Sequence, residues 1–377
     1  MKILRHIVNM NTMAYDNHGY DIFRKHDHFF QSEDRWEYVN NIEDADIVPI
    51  LPAGKPKLDR CTFRLRDDQV LCMLLYYVID DHYDLTYFEH ILEYAQHIAK
   101  NVLIVHKNSK YRNHEHKNIV HFDAMFDIAK ICFTEYEKYD FTNRIWNLYS
   151  HNKTYKLQNI EKRLTKKFMC PTYVYTPYTH PRMHYRAKIR EIVEPFKEEG
   201  YVSTDTVKLM PNEPVTELML NNMLNSTTIQ WYPISDELYN SSCISVVCET
   251  ITGVCNEDKK YNTVRCVTEK TLEPLAKGNF ILPFGYSGLI EDLLTYGFKL
   301  PDWIDYSYDN LLDADERLAQ FQIILNKLLG NNSISDLQRL CDRDMDILEH
   351  NKRVFYTRHY DNLYDRILSK YKELMPR

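Results

Sequence analysis

The chain reads as an α/β protein built from two domains, each a parallel sheet wound with helices on both faces. Three observations point there. Its 377 residues exceed one typical hydrophobic core. Short apolar runs, such as residues 101–106 and 244–248, alternate with polar stretches long enough for crossover helices. Between 244 and 310, an apolar run ends at Glu249, a polar loop follows, and a helix start at Thr268-Glu269-Lys270 precedes a second apolar run over 279–284. That order, strand, helix, strand, is one right-handed β-α-β unit.

In chain order, residues 2–8 supply the first strand. The polar segment 16–28 carries His18, His26 and His28 at spacings unlike a metal site, and we read them as surface residues. Residues 41–52 form an acidic turn entering a short buried strand that ends in proline. Asp44-Ala45-Asp46 has the form of a D-x-D metal clamp, but it precedes a strand where such a clamp follows one, so no metal is expected there. The apolar run 70–79 reads as a buried strand with Asp80 and Asp81 at its carboxyl end, ahead of a helix beginning near Leu85. Either aspartate suits a general base facing a cleft, and either also suits the cap of that helix. Residues 88–100 read as a helix and 101–106 as a strand ending in His106, a second base candidate. Strands follow at 119–123 and 129–133. The polar, net basic stretch 141–167 (Lys153, Lys156, Lys162, Arg163, Lys166, Lys167) reads as part linker, part helix between the two sheets, its basic run a solvated face.

The second domain opens with a strand at 167–170 and a Tyr- and Pro-rich loop over 171–181. A helix then runs from Arg182 through Phe196, with Arg182 and Arg186 one turn apart on one face. Residues 200–203 turn into a further strand, while 318–329 and 334–371 show helical periodicity. Ligands of such sheets lie at the carboxyl ends of strands and the amino ends of helices. A carboxylate at Glu249 can accept hydrogen bonds from ribose hydroxyls. The helix start at Thr268, Glu269 and Lys270 offers free N–H groups and positive charge to a diphosphate. Equally, Thr268 can simply cap the helix, Glu269 favour its first turn and Lys270 sit in solvent.

Val247-Cys248-Glu249-Thr250, followed by Val267-Thr268-Glu269-Lys270-Thr271 and Pro274-Leu275, resembles the donor-binding half of GT-B glycosyltransferases. The pattern is that of the α-1,3-fucosyltransferase family, and it is similar to exostosin-like transferases and to transferase-like proteins of phages and large viruses. Tyr296-Gly297-Phe298 and Ile304-Asp305-Tyr306-Ser307-Tyr308-Asp309 resemble the continuation of the viral group, with Tyr306 where that group carries Glu. Residues 41–52 are similar to a strand of exostosin-like N-terminal domains. The resemblance spans about residues 165–320.

The resemblance implies a GT-B fold, two Rossmann-like domains facing a cleft. An acceptor-side domain would occupy 1–160, a nucleotide-sugar domain 161–345, and a C-terminal helix within 346–377 would return to the first domain. It further implies sugar transfer from a nucleoside-diphosphate sugar to a hydroxyl acceptor such as a glycan, with inversion and without a cofactor or bound metal. Arg182 or Arg186, with Lys270, would neutralise the diphosphate, because a guanidinium fork bonds two phosphate oxygens at once. Glu249 would hold the ribose, with Thr268 and Glu269 beside it. Asp80, Asp81 or His106 would serve as base.

Composition narrows the alternatives. Hydrophobic residues at 44% and charged residues at 27% fit a soluble globular chain. No apolar run approaches the ~20 residues of a membrane span, and the first residues lack a signal-peptide core, so a cytoplasmic protein is expected. Nine cysteines without paired spacing indicate free thiols in a reducing compartment. Cys248, Cys255 and Cys266 contain no C-x-x-C and read as thiols rather than zinc ligands. With nine glycines and neither G-x-G-x-x-G nor a Walker-type loop, a dinucleotide dehydrogenase or P-loop kinase is disfavoured. A net charge of −7 weighs against nucleic acid as acceptor. Two other functions keep the same fold: glycosylation of a modified DNA base, and non-catalytic carbohydrate binding.

Overall fold

Two parallel sheets, each flanked by helices, carry the fold in this computed structural model. The structure describes residues 2–4, 8–9, 37–51, 64–74, 85–106, 116–121, 160–171, 181–202, 236–249, 252, 265, 267–357 and 363–375. Those within 2–121 and 363–375 belong to one unit, and those within 160–357 to a second.

The first unit contains β1 (Lys2–Leu4), β2 (Val8–Asn9), β3 (Glu37–Val39), β4 (Ile47–Leu51), β5 (Val70–Leu74), β6 (Asn101–His106) and β7 (Ile119–His121). Their order is β3-β1-β4-β5-β6-β7, with β2 also beside β4, and every registered pair is parallel. Pro49 sits inside β4, which has neighbours on both sides. On one side β1 registers with Ile47 and β2 resumes at Ile50, so the donor that proline lacks falls at the break between them. Helix α1 (Leu85–Ala95) joins β5 to β6, and its Phe88, Ile91 and Ala95 pack with Leu71, Met73, Val102 and Ile104 of the sheet.

In the second unit β8 (Lys166–Cys170), β9 (Gly200–Val202), β10 (Ser242–Cys248) and β11 (Phe280–Phe284) run parallel in the order β11-β10-β8-β9. Both sheets obey one rule once β2 is set aside. The second strand lies outside the first, the third lies on the first's other side, and the rest follow outward. The reversal is the switch point of a doubly wound sheet, and it falls between β8 and β10 in this unit.

Parallel neighbours need crossovers, which here are helical. Helix α2 (Pro181–Val193) follows β8, α3 (Asp236–Asn240) precedes β10, and α4 (Glu269–Lys277) joins β10 to β11. Helices α5 (Leu289–Thr295), α6 (Ala314–Asn331), α7 (Ile334–Arg343) and α8 (Met345–Thr357) complete the unit. The strands are buried on both faces, so period-two alternation sorts them between two cores. Phe280, Leu282 and Phe284 join Ile244, Val246 and Phe321 on one face, while Ile281 joins Leu272, Leu275, Leu289 and Phe355 on the other. Helix α9 (Leu363–Leu374) packs on β6 and β7 of the first unit, where Arg366 Nη1 donates to the His121 carbonyl at 2.7 Å.

Some expectations change. The helical stretch expected over 334–371 is divided into α7, α8 and α9, and Asp344 separates the first two with its carboxylate held by Trp303 Nε1 at 2.9 Å. Strand β5 is described over Val70–Leu74; residues 75–79 and the strand expected at 129–133 lie outside the described residues. Lys162 and Lys167 are buried, not solvated. Lys162 Nζ donates to the carbonyls of Tyr239 (2.6 Å) and Ser242 (3.0 Å) and to Asn279 Oδ1 (2.6 Å), three acceptors for the three N–H bonds of an ammonium. Lys167 Nζ donates to the Leu329 carbonyl at 2.8 Å and pairs with Glu199. Tyr306 and Tyr308 close the free edge of β11, their hydroxyls donating to the carbonyls of Ile281 (2.9 Å) and Pro283 (2.6 Å). No helix among the described residues is long and apolar enough to cross a membrane.

Helix α4 stops at Gly278, whose φ of 76° is left-handed. A Cβ there would also lie 2.5 Å from Ile160 Cδ1. Gly278→Ala is therefore expected to destabilise the unit by at least roughly 1–2 kcal/mol. Urea unfolding checks this, and an unchanged midpoint would count against the assigned helix end.

Candidate functional site

The end of β10 is closed by a single carboxylate. Glu249 follows the strand, gives its own N–H to the Phe284 carbonyl at 2.8 Å, and is fully buried. Its Oε1 accepts the Thr268 N–H at 3.1 Å and the Thr271 hydroxyl at 2.5 Å, while Oε2 accepts the Thr268 hydroxyl. Thr268 is the N-cap of α4 and accepts the Lys270 N–H at 3.4 Å. Glu249 thus serves the helix start from another strand, as a capping-box residue serves its own helix. The backbone of β11 leaves at Gly285, where a Cβ would lie 2.7 Å from Leu289 Cδ2 and 3.4 Å from Glu249 Cβ and Cγ.

Two cations lie near the same strand end. Burial pushes the Cys248 thiol up to about 12, with Arg186 and Lys270 pulling it down and Glu249 and Cys170 pushing it further up. Arg186 on α2 and Lys270 on α4 therefore both lie near Cys248, the last residue of β10, which neighbours β8. Arg186 is 4% exposed on α2, and Lys270 is half-buried in the first turn of α4. A buried guanidinium, an ammonium and a helix amino end make a site suited to an anion. The closed Glu249 carboxylate offsets part of that charge.

A second group of residues ties the neighbouring loops together. Arg317, fully buried on α6, donates to the carbonyls of Gly285 (3.0 Å), Leu312 (3.2 Å), Leu311 and Thr252. Asp309 Oδ2 accepts the Ile290 N–H at 2.9 Å in the first turn of α5, and the Asp309 carbonyl accepts Gly288 N–H (3.1 Å) and the Ser287 hydroxyl (3.0 Å). Arg265 lies against Gly288, with its guanidinium carbon 2.7 Å from where a Cβ would stand, and pairs with Glu291 at 3.4 Å.

Of the expected residues, Arg186, Glu249, Thr268 and Lys270 meet in this one place. The Glu249 carboxylate assigned to a ribose is closed off, so a ribose would reach it only by displacing a threonine. Arg182 lies one turn before Arg186 on α2, and Glu269 opens α4; their side chains lie outside the described residues. Asp80 and Asp81 lie outside them altogether. His106 ends β6 and is buried, its ring 4.9 Å from Phe88 and 5.3 Å from His121. His121 is its registered partner on β7, a pairing signalled by the shared Val-His endings of both strands. Thr271 was signalled by its position one turn after Thr268. Arg317 was signalled by its place on the apolar stripe of α6 with Ala314, Phe321, Ile324 and Leu328. Among the described residues no three His, Cys, Asp or Glu side chains are grouped to hold a metal.

No family model, no curated protein sequence and no solved structure matches the chain.

Glu249→Gln keeps the shape but removes one acceptor oxygen from a helix start that uses both. We expect a loss of about 1–3 kcal/mol in urea unfolding, with faster amide exchange at Thr268. Full stability in the variant would mean that the carboxylate is not what holds α4.

Burial pushes the Asp309 carboxyl up to about 6 from an ordinary value of 3.8, against the opposing pull of the Ile290 N–H and the Arg317 guanidinium. The folded chain then holds this proton more tightly than the unfolded chain, so stability from this group declines as pH rises from about 4 to about 6. Unfolding across that window should show a decline that Asp309→Asn removes. An identical slope in both proteins would refute the assignment.

Proposed function

We propose that the chain is a glycosyltransferase that moves a sugar from a nucleoside-diphosphate donor to a hydroxyl acceptor. One observation carries this reading: Arg186, Lys270 and the Thr268-capped start of α4 lie near the end of β10, beside the switch point of a doubly wound parallel sheet. Cations held there suit a diphosphate leaving group, whose negative charge grows as the sugar departs, so they would stabilise the transition state more than the bound donor. The presence of two parallel-sheet units agrees with a GT-B arrangement, in which the first unit presents the acceptor and supplies a base from Asp80 or Asp81; His106, fully buried against Phe88 and His121, would serve only if that packing opened. In this reading Glu249 is a positioning residue. It anchors the turn that carries Lys270, and ribose contacts fall to Glu269.

A second reading, a non-catalytic carbohydrate-binding protein of the same fold, is favoured by the closure of Glu249 by Thr268 and Thr271. A thermal-shift panel of GDP-, UDP-, dTDP- and CMP-linked sugars, with and without Mg²⁺ or Mn²⁺, separates the two, because a ligand bound only to the native state raises the midpoint. The transferase reading expects one nucleotide class to stabilise the chain and to be turned over. Lys270→Ala should cut that turnover by about 100-fold or more while leaving the unliganded midpoint in place. If no nucleotide sugar shifts the midpoint, the transferase reading fails.

A further inference from the structure

We propose that Cys243 and Cys341 are a modification site for hydroperoxides, a buried dithiol that closes into a reversible disulfide. Cys243 is the second residue of β10 and Cys341 lies in the last turn of α7; both are fully buried and both are free thiols. Their Sγ atoms stand 3.0 Å apart, and Cys243 Sγ lies 4.0 Å from the Leu337 carbonyl. A disulfide requires about 2.05 Å between sulfurs, so closure needs an approach of about 1 Å. Leu337 and Cys341 are the two buried residues of α7. The helix therefore rests on the sheet through this contact, and a covalent bond would pin it there.

The surroundings single this pair out among the described thiols. The contact with the Cys243 sulfur holds the Cys341 thiol below its ordinary value, opposed by burial and aided by the Lys162 ammonium. Burial keeps the Cys243 proton in place. Of the two sulfurs, Cys341 is therefore the one more readily deprotonated, and the thiolate is the form that attacks an O–O bond. Burial instead pushes Cys72 and Cys248 up to about 12, which leaves them as protonated thiols. Local opening of α7, a ten-residue helix at the outside of the unit, admits a small oxidant.

The chemistry balances with one hydroperoxide. The Cys341 thiolate attacks the nearer peroxide oxygen, an S–O bond forms, the O–O bond breaks, and the departing oxygen takes a proton as water when the peroxide is H₂O₂. The Cys243 sulfur then attacks Cys341 Sγ; the S–S bond forms, the S–O bond breaks, and hydroxide leaves with the Cys243 proton as a second water. Two thiols lose two electrons and two protons, and the peroxide is reduced to two waters.

The test uses the native full chain treated with hydrogen peroxide, alkylated with N-ethylmaleimide in denaturant, digested without reductant and mapped by mass spectrometry. The expected result is a peptide pair joining Cys243 to Cys341, reversed by dithiothreitol, with both thiols withdrawn from the nine present. Because the bond would join residues 98 positions apart, the thermal midpoint should rise by roughly 5–10 °C. Neither the linked peptide nor the rise should occur in Cys341→Ala or in Cys243→Ala. The proposal is overturned if Cys243 and Cys341 stay fully alkylatable at peroxide levels that oxidise other cysteines. Sulfinic acid on either residue without the link, or a midpoint rise that persists in Cys341→Ala, also overturns it.

Discussion

The second unit depends on one buried carboxylate. Removing the Glu249 side chain from water is costly unless every lone pair that matters finds a donor. Three donors come from one place, the cap and first turn of α4, where N–H groups have no partner within the helix. The bond set therefore satisfies the carboxylate and the helix end together. It also places the helix: α4 cannot slide along the sheet without stranding Glu249, so Lys270 is held at the end of β10. Gly285 completes the constraint, since any side chain there would crowd both Leu289 and Glu249.

The opposite edge of the same sheet carries the complementary charge. Lys162 lies beside the beginnings of β8, β10 and β11, bound to carbonyls of Tyr239 and Ser242 and to Asn279 just ahead of β11. Tyr239 belongs to the closing turn of α3, so the ammonium meets the carbonyl end of one helix while Glu249 meets the amino end of another. Burial pushes the Lys162 amine down to about 8, against the opposing influence of Cys341 and Cys243 nearby. Each charge neutralises backbone groups that the sheet alone leaves unpaired. The Lys162 ammonium also electrostatically favours thiolate at Cys341, linking the amino edge of the sheet to the thiol pair.

Loops at the carboxyl edge follow from Arg317. Its guanidinium takes four carbonyls from segments after β10, after β11 and before α6, and lies 5.6 Å from the Phe284 ring centre. A rigid fork of donors is well suited to that task, where a lysine would reach fewer acceptors. The anion-binding reading of the site therefore rests on a frame set by Glu249 and Arg317. Of the two residues proposed to meet a diphosphate, Lys270 is positioned by that frame, while Arg186 sits on α2 next to Tyr185, whose hydroxyl donates to Asp315 Oδ1 of α6 at 3.0 Å.

The sequence by itself determined the fold class, the strands 101–106 and 244–248, the position of the helix start at Thr268 and the amphipathic helices, because period and punctuation are local properties of a chain. It also marked Glu249 as a strand end. Only tertiary structure decided where that carboxylate points, because its partners Thr268 and Thr271 are 19 and 22 residues away across a loop. Lys162 shows the same limit: within a basic run it reads as solvated, and its burial depends on acceptors more than 75 residues distant. Tyr306, a departure from the resembled pattern, gains its explanation only from the free edge of β11 that its hydroxyl covers. Local pattern specifies elements, but the partner of a buried charge is chosen by chain segments that meet only after folding.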